Sequence, residues 1–337
     1  FTVGWVVWFA SVVAAVLYAL GFAHFALVMV SELCAAAGRE APAWLVDRKL
    51  VPLVACGTTL LLTFTLIWSS AGGGPWPNVV KVAVFAALIL GGLWAIARQP
   101  SADTREAMQP FFSGGIAGVF QAMGYSFIAL QGFDLIAAVG GEVRDAKKTI
   151  PRAMLLSLAI ALAIYIPLLL VITTVGVPVG QDIQSVAQGD PEGIVALAAR
   201  NYLGPTGYWL VIVAAVLSMF TALQANLFAA SRIALSMAKD HTLPAVMGKI
   251  SANYGTPAVA ISVTAALVCL ILAVLPDVAA AGAASSLIFL VTFAIAHWLS
   301  VLVRLRSRRR PPPFRTPLFP AVPILGGVSC IALAVFQ

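Results

Sequence analysis

Nine stretches of this chain run apolar for about the 20 residues that a helix needs to cross the hydrocarbon core of a bilayer. They cover residues 3–31, 51–70, 78–97, 111–141, 153–177, 207–238, 257–275, 281–303 and 318–336. Lipid offers no hydrogen-bond partners, so each stretch must satisfy its backbone within itself. The sequence therefore predicts an all-α integral membrane protein with about nine transmembrane helices. Composition points the same way: 61% of the 337 residues are hydrophobic and 10% charged. A water-soluble domain is closer to half apolar and about a quarter charged.

The connectors carry helix breakers, among them GGGPWP at 72–77, GVPVG at 176–180, GPTG at 204–207 and PPPFRTP at 311–317. Residues 191–203, PEGIVALAARNYL, read as a short amphipathic helix at the interface. The net charge of +7 lies in short loops, a pattern that orients membrane spans and gives no reason to expect nucleic acid as a partner. Arg232 and the loops 142–152, 239–256 and 304–316 place thirteen Lys and Arg on one side, against six on the other. The richer side is expected to be cytoplasmic. Cys34, Cys56, Cys269 and Cys330 lack metal-ligand spacing and read as small buried hydrophobes. No metal or other cofactor is implied. Gly72–Gly74 lacks the Lys-Ser/Thr of a phosphate loop, and no nucleophile motif supports catalysis, so the chain does not read as an enzyme.

The stretch GYSFIALQGFDLIAAVGGEVRDAKKTIPRAM at 124–154 breaks the apolar pattern. Gly132 and the pair Gly140-Gly141 each weaken a helix by about 1 kcal/mol relative to alanine. Asp134 is costly at membrane depth unless it meets protein or water. One reading is a discontinuous helix whose opened backbone lines a midplane site. The other is a close glycine contact between helices, with Asp134 hydrogen-bonded structurally.

Lys81, in PNVVKVAVFAALILGG, lies about a turn inside the third span. It either snorkels to the interface or is a desolvated amine that exchanges a proton. Ser218, Thr221 and Gln224 share one face of the sixth span. They either bond between helices or line a cavity opposite Lys81. Ser285 and Ser286 open the eighth span with the same two readings. His24 and His297 are intramembrane histidines with no acid partner visible in sequence, and structural roles are expected for both.

Four blocks carry a family resemblance. GFDLIAAVGGEVRDAKKTIPRAM resembles the GFD…EE-x-x-NP-x-x-x-IPRA signature of the amino acid–polyamine–organocation (APC) permeases, at their sixth helix. ASRIALSMAKDHTLPAVMGKISANYGTPAVAI at 230–261 is similar to the pattern after their eighth helix. VRLRSRRRPPPFRTPLFPAVPILG resembles the region after the tenth, and VGWVVWFASVVAAVLYALGF at 3–22 the third helix. The departures are specific. The paired acids read Gly141-Glu142, the Asn-Pro reads Asp145-Ala146, and the Asp-Gly reads Asp240-His241. Ile128 and Leu130 stand where aromatics are common, and Ile128 matches the position whose aromatic often gates the substrate.

The resemblance implies a five-plus-five inverted-repeat transporter fold, here incomplete. Residues 1–337 would form a single membrane domain. Residues 1–110 would be the remainder of the first repeat, 111–305 the second repeat, and 306–337 a loop and one additional helix. The implied function is a secondary active transporter of amino acids or related amines across the plasma membrane (the inner membrane in a Gram-negative source), by proton-coupled symport or exchange. A receptor or scaffold that keeps the fold without transport is the alternative. Phe127, Ile128, Gln131, Gly132, Phe133 and Asp134 would bind substrate, with Phe127 or Phe133 compensating for the smaller Ile128. Lys81, with Ser218 and Thr221, would couple transport, because the family's lysine at this place does what a sodium ion does in related carriers. The partners implied are a small-molecule substrate, a proton and the lipid bilayer. The start at Phe1 and the end at Gln337 inside an apolar run lead to the expectation of a fragment that lacks the family's first two helices and does not transport alone.

Overall fold

The computed structural model describes residues 2–47, 49–68, 76–100, 104–105, 107–109, 114–138, 140–178, 183–189, 191–275, 277–306 and 316–337. The described residues fold into helices α1 (Thr2–Ala36), α2 (Leu50–Trp68), α3 (Trp76–Arg98), α4 (Gly115–Ser126) and α5 (Leu135–Ala138). There follow α6 (Ala146–Thr174), α7 (Ile183–Gly189), α8 (Ile194–Lys239), α9 (Ala258–Leu272), α10 (Val278–Arg306) and α11 (Ala321–Phe336). Among the described residues, seven segments are long and apolar enough to cross a membrane, the pair α4–α5 counting as one. The apolar helices α9 and α11 are shorter, at 15 and 16 residues. At 1.5 Å per residue each spans about 23 Å, less than the roughly 30 Å core. All nine apolar stretches thus contain helix, two of them shorter than expected.

The bundle is organised around α1, which packs against α2, α8, α9 and α10. Side-chain size explains why. Ala10, Ser11, Ala14, Ala15, Ala19 and Ala23 are fully buried on α1, and such small residues let neighbouring backbones approach where lipid supplies no hydrophobic drive between helices. Larger partners fill the remaining space: Leu62 and Leu66 from α2, Leu223 and Leu227 from α8, and Val268 and Leu272 from α9. Trp8 Nε1 donates to Thr264 Oγ1 at 3.2 Å across the α1/α9 contact. The hydroxyls of Thr58, Thr59 and Thr63 turn back to the carbonyls four residues earlier, so α2 carries them at no unpaired cost.

α8 is interrupted at Gly204, whose φ of 67° and ψ of −156° are open to glycine, and Pro205 follows. The helix before this kink holds 194–203, most of the stretch 191–203 read as an interfacial helix. One of its faces packs inside the protein: Ala196 and Ala199 cluster with Leu88 of α3 and with Val211 and Ile212. Asn201 Nδ2 donates to Val175 O at 2.9 Å and ties the kink to the end of α6. α6 itself begins at Ala146, seven residues before the apolar pattern does. Its first turns carry exposed Lys147 and Lys148, and Pro151 is tolerated there. Among the cysteines only Cys330 is buried. Cys34, Cys56 and Cys269 are half-buried, and all four are free thiols.

Candidate functional site

The span at 111–141 is interrupted where Gly132 and Asp134 stand. α4 ends at Ser126, a 3-10 turn covers Phe127–Leu130, Gln131 is extended (φ −68°, ψ 151°), and α5 starts at Leu135. Gly132 adopts φ 122°, which a side chain disfavours. The backbone opened here finds substitute partners. Gln131 N–H bonds Ile128 O at 3.1 Å, and Leu135 N–H bonds Gly132 O at 3.2 Å. Asp134 Oδ1 accepts from Gly132 N–H at 3.1 Å and from Gln131 Nε2 at 3.4 Å. Both readings of the sequence hold in part: the helix is discontinuous, and Asp134 is also a structural acceptor within the break.

Neighbouring helices hold the break from three sides. From α1, Tyr18 Oη donates to Gln131 Oε1 at 3.1 Å. From α6, Tyr165 Oη donates to Ala129 O at 2.7 Å. From α10, Ser286 Oγ accepts Ile128 N–H at 3.3 Å and donates to Gly124 O at 2.6 Å. α10 also supplies an aromatic wall. Phe293 stacks on Phe133 at 5.6 Å between ring centroids and meets Phe127 edge-on at 5.8 Å, with Phe289 beside it. Ile128 packs on the group formed by Ala10, Ala14 and Phe289. The two aromatics expected to compensate for Ile128 thus share Phe293 as a partner.

Lys81 reaches α8. Its Nζ donates to Thr221 Oγ1 at 2.8 Å, and that hydroxyl in turn reaches Leu217 O at 2.9 Å and Ser218 O at 3.1 Å. Ser218 Oγ is buried and, among the described residues, has no partner. Thr221 is therefore the contact and Ser218 stands a turn away. The structure brings Lys81 to Thr221 and gathers Phe127, Ile128, Gln131, Gly132, Phe133 and Asp134 at the break, as two separate groups. α8 packs against α3, which carries Lys81, and against α5, which directly follows the break.

Past α5 lies a cavity of about 320 Å³, bounded by Gly4, by Ala137 and Ala138, and by Arg232, Ser236, Asp240 and Thr242 near the end of α8. It sits on the side with the basic loops. On α1, His24 Nδ1 lies 2.8 Å from Glu192 Oε2. The acid partner that the sequence did not show is thus supplied by the segment before α8. His297 packs against Gly326 of α11, where an added Cβ would lie 2.6 Å from the imidazole.

Tyr18, Tyr165, Phe289 and Phe293 were not anticipated. The tyrosines carried one legible signal: a phenol at mid-span needs a hydrogen-bond partner. Which partner it takes was not legible, since Tyr18 and Gln131 stand 113 residues apart.

A multi-pass helical membrane protein whose mid-span helix opens around a glycine and an acid, with the break bonded by polar side chains of three neighbours, belongs to the class that builds polar sites within the bilayer. The family described as "Amino acid permease" matches residues 1–337, and the chain belongs to it. It is 29% identical over 207 residues to the inner membrane transport protein YbaT of Escherichia coli strain K12, covering 60% of this chain and 45% of that protein. It is 25% identical over 264 residues to a methylthioribose transporter of Bacillus subtilis strain 168, covering 75% and 51%. It is also 25% identical over 224 residues to the branched-chain amino acid permease BcaP of the same organism, covering 66% and 46%. The chain spans about half the length of these curated relatives.

Proposed function

We propose that this chain belongs to a secondary active transporter that carries amino acids or related amines across the plasma membrane by proton-coupled symport or exchange. The observation that carries the reading is the broken helix at 127–134, held open by Tyr18, Tyr165 and Ser286. In the proposed fold, 1–110 is the remainder of one five-helix repeat, 111–305 the inverted second, and 306–337 a loop and one additional helix. Phe127, Ile128, Gln131, Gly132, Phe133 and Asp134 bind substrate. Opened carbonyls and N–H groups read its charged ends, and the wall of Phe127, Phe133 and Phe293 receives its side chain. The preferred substrates are apolar or small neutral. Asp134 already accepts two hydrogen bonds within the break, and an unpaired guanidinium is expensive to bury. The family named for amino acid permeases and the relative named for branched-chain amino acids support this reading, and the methylthioribose transporter shows that relatives also carry other neutral solutes in their names.

Lys81 is the coupling group. Charged, its ammonium clamps α3 to α8 through Thr221; neutral, it loosens the clamp, so each form favours a different arrangement of the two helices. Arginine at this place keeps the charge at all working pH values. Reconstituted in liposomes, the full-length protein is expected to accumulate leucine or alanine under an inward proton gradient, and arginine is expected to compete poorly. Lys81→Ala and Lys81→Arg should each abolish accumulation while retaining some substrate binding. Arginine outcompeting leucine overturns the substrate class, and pH-dependent accumulation at the wild-type level in Lys81→Arg overturns the coupling role. Substrate binding with no uptake in wild type, under any gradient or counter-substrate, overturns transport itself.

A further inference from the structure

We propose that Ser286 is a positioning residue for the broken helix, its hydroxyl inserted into the hydrogen-bond ladder of α4 so that the opening of the helix depends on where α10 stands. In an uninterrupted α-helix Gly124 O would receive the N–H of Ile128, four residues on. Here a hydroxyl from another helix stands between them. Ser286 Oγ accepts the Ile128 N–H at 3.3 Å and donates its own proton to Gly124 O at 2.6 Å. The donor and the acceptor that would have closed the turn are both satisfied, but through a side chain 158 residues away in sequence. A side chain lodged in the i→i−4 ladder is a recognised cause of a sharp helix interruption. Gly124 O also receives Phe127 N–H, three residues on, and the 3-10 turn Phe127–Leu130 follows directly.

The insertion is specific to its place. Ser286 is fully buried, so no bulk water competes for the two backbone groups. The neighbouring Ser285 is equally buried, and its Oγ has no partner among the described residues. Ser286, Phe289 and Phe293 stand at i, i+3 and i+7, on one face of α10. That face follows the break from Gly124, through Phe127 and Ile128, to Phe133. A shift of α10 by part of a turn withdraws the hydroxyl, and Gly124 O and Ile128 N–H are then free to bond each other. The two arrangements are discrete, each pairs both Gly124 O and Ile128 N–H, and they differ in how far α4 continues toward Gln131. A packed element with two such states can carry motion from one helix to another. The inference rests on the reading that the break binds substrate only for its second measurement.

The test uses purified full-length protein as wild type, Ser286→Ala and Ser286→Thr. Amide hydrogen exchange over peptides covering 124–131 is read first, without substrate. Ser286→Ala is expected to slow exchange there by about two- to tenfold, the range spanned by one net hydrogen bond, because the ladder closes directly. Ser286→Thr keeps a hydroxyl and should restore the wild-type rate. Equal or faster exchange in Ser286→Ala overturns the insertion, and so does a Ser286→Thr variant that behaves like alanine, since the effect is then one of packing. The second measurement is uptake kinetics: Ser286→Ala should raise KM by about the same two- to tenfold and leave Vmax near wild type. An unchanged KM beside slowed exchange overturns the link from α10 to the substrate. A wild type that neither binds nor transports overturns the proposed function and leaves the exchange result to decide the insertion on its own.

Discussion

Helix α1 and the broken helix α4–α5 are both apolar spans, yet protein covers 67% of the most apolar window of the first and 6% of the second. Hydropathy does not explain the difference, since both clear the requirement for a span. Side-chain size and polarity do. α1 presents six small residues, five alanines and a serine, among its buried positions, and four helices close around it. α4 presents Ile116, Val119 and Met123 outward and is tied to its neighbours by a few polar bonds, by Phe120 stacked on Phe336 of α11 at 5.3 Å and by the Phe293 wall. A region held by few buried contacts opens at lower free energy than one in the core. The molecule thus sets a rigid centre beside a weakly covered element, and the candidate site lies in the second, anchored to the first through Tyr18.

If the contrast is real, overpacking α1 should be the most damaging change. Ala19, fully buried against the bundle core, has no room for three more carbons. Ala19→Leu is expected to destabilise the protein by about 1–3 kcal/mol or more. The check is the midpoint of thermal unfolding in detergent and the yield of monodisperse protein; an unchanged midpoint would mean that α1 is not the rigid centre.

A smaller global effect with a larger local one is expected at the break. Gly132 holds φ 122° with open space where a Cβ would lie, so Gly132→Ala meets backbone strain of about 1–3 kcal/mol and no clash. The strain should relax into the break and leave the bundle intact. The expected outcome is an unfolding midpoint within a few degrees of wild type and at least a tenfold loss of substrate affinity (about 1.4 kcal/mol). Equal losses of stability and affinity would instead make the break part of the core.

The smallest effect should fall on the outer face of α4. Ile116 is 78% exposed, and Ile116→Ala should change stability by no more than about 0.5 kcal/mol, within the range for surface sites. Thermal unfolding measured beside Ala19→Leu sharpens the comparison, and a loss as large as that of Ala19→Leu would show that α4 packs as tightly as α1.

The break was legible because its cause is local. Gly132 weakens the helix through its own backbone, and Asp134 supplies a side-chain acceptor two residues from an orphaned N–H. Lys81 was legible for a similar reason, as a charge in an apolar span. The short α9 was not: its apolar run at 257–275 continues past the end of the helix at Leu272, and nothing in the pattern marks where helical backbone stops. The packed face of 194–203 was hidden because alanines at Ala196 and Ala199 look like a mild interfacial face until Leu88 of another helix is brought onto them.

The sequence by itself determined that this chain is helical, that it lies in a membrane, and where the apolar pattern of one span is broken. Partition into lipid and backbone hydrogen bonding act within a single segment, so their requirements are written in consecutive residues. The tertiary structure alone decided that Lys81 meets Thr221 while Ser218 stays a turn away, that His24 has Glu192 beside it, and that Ser286 enters the ladder of α4. These pairs lie up to 168 residues apart, and in lipid the helices that carry them choose one another by close van der Waals fit and interhelical hydrogen bonds. Hydropathy is nearly blind to that fit, because an alanine that faces a neighbouring helix and one that faces lipid read alike.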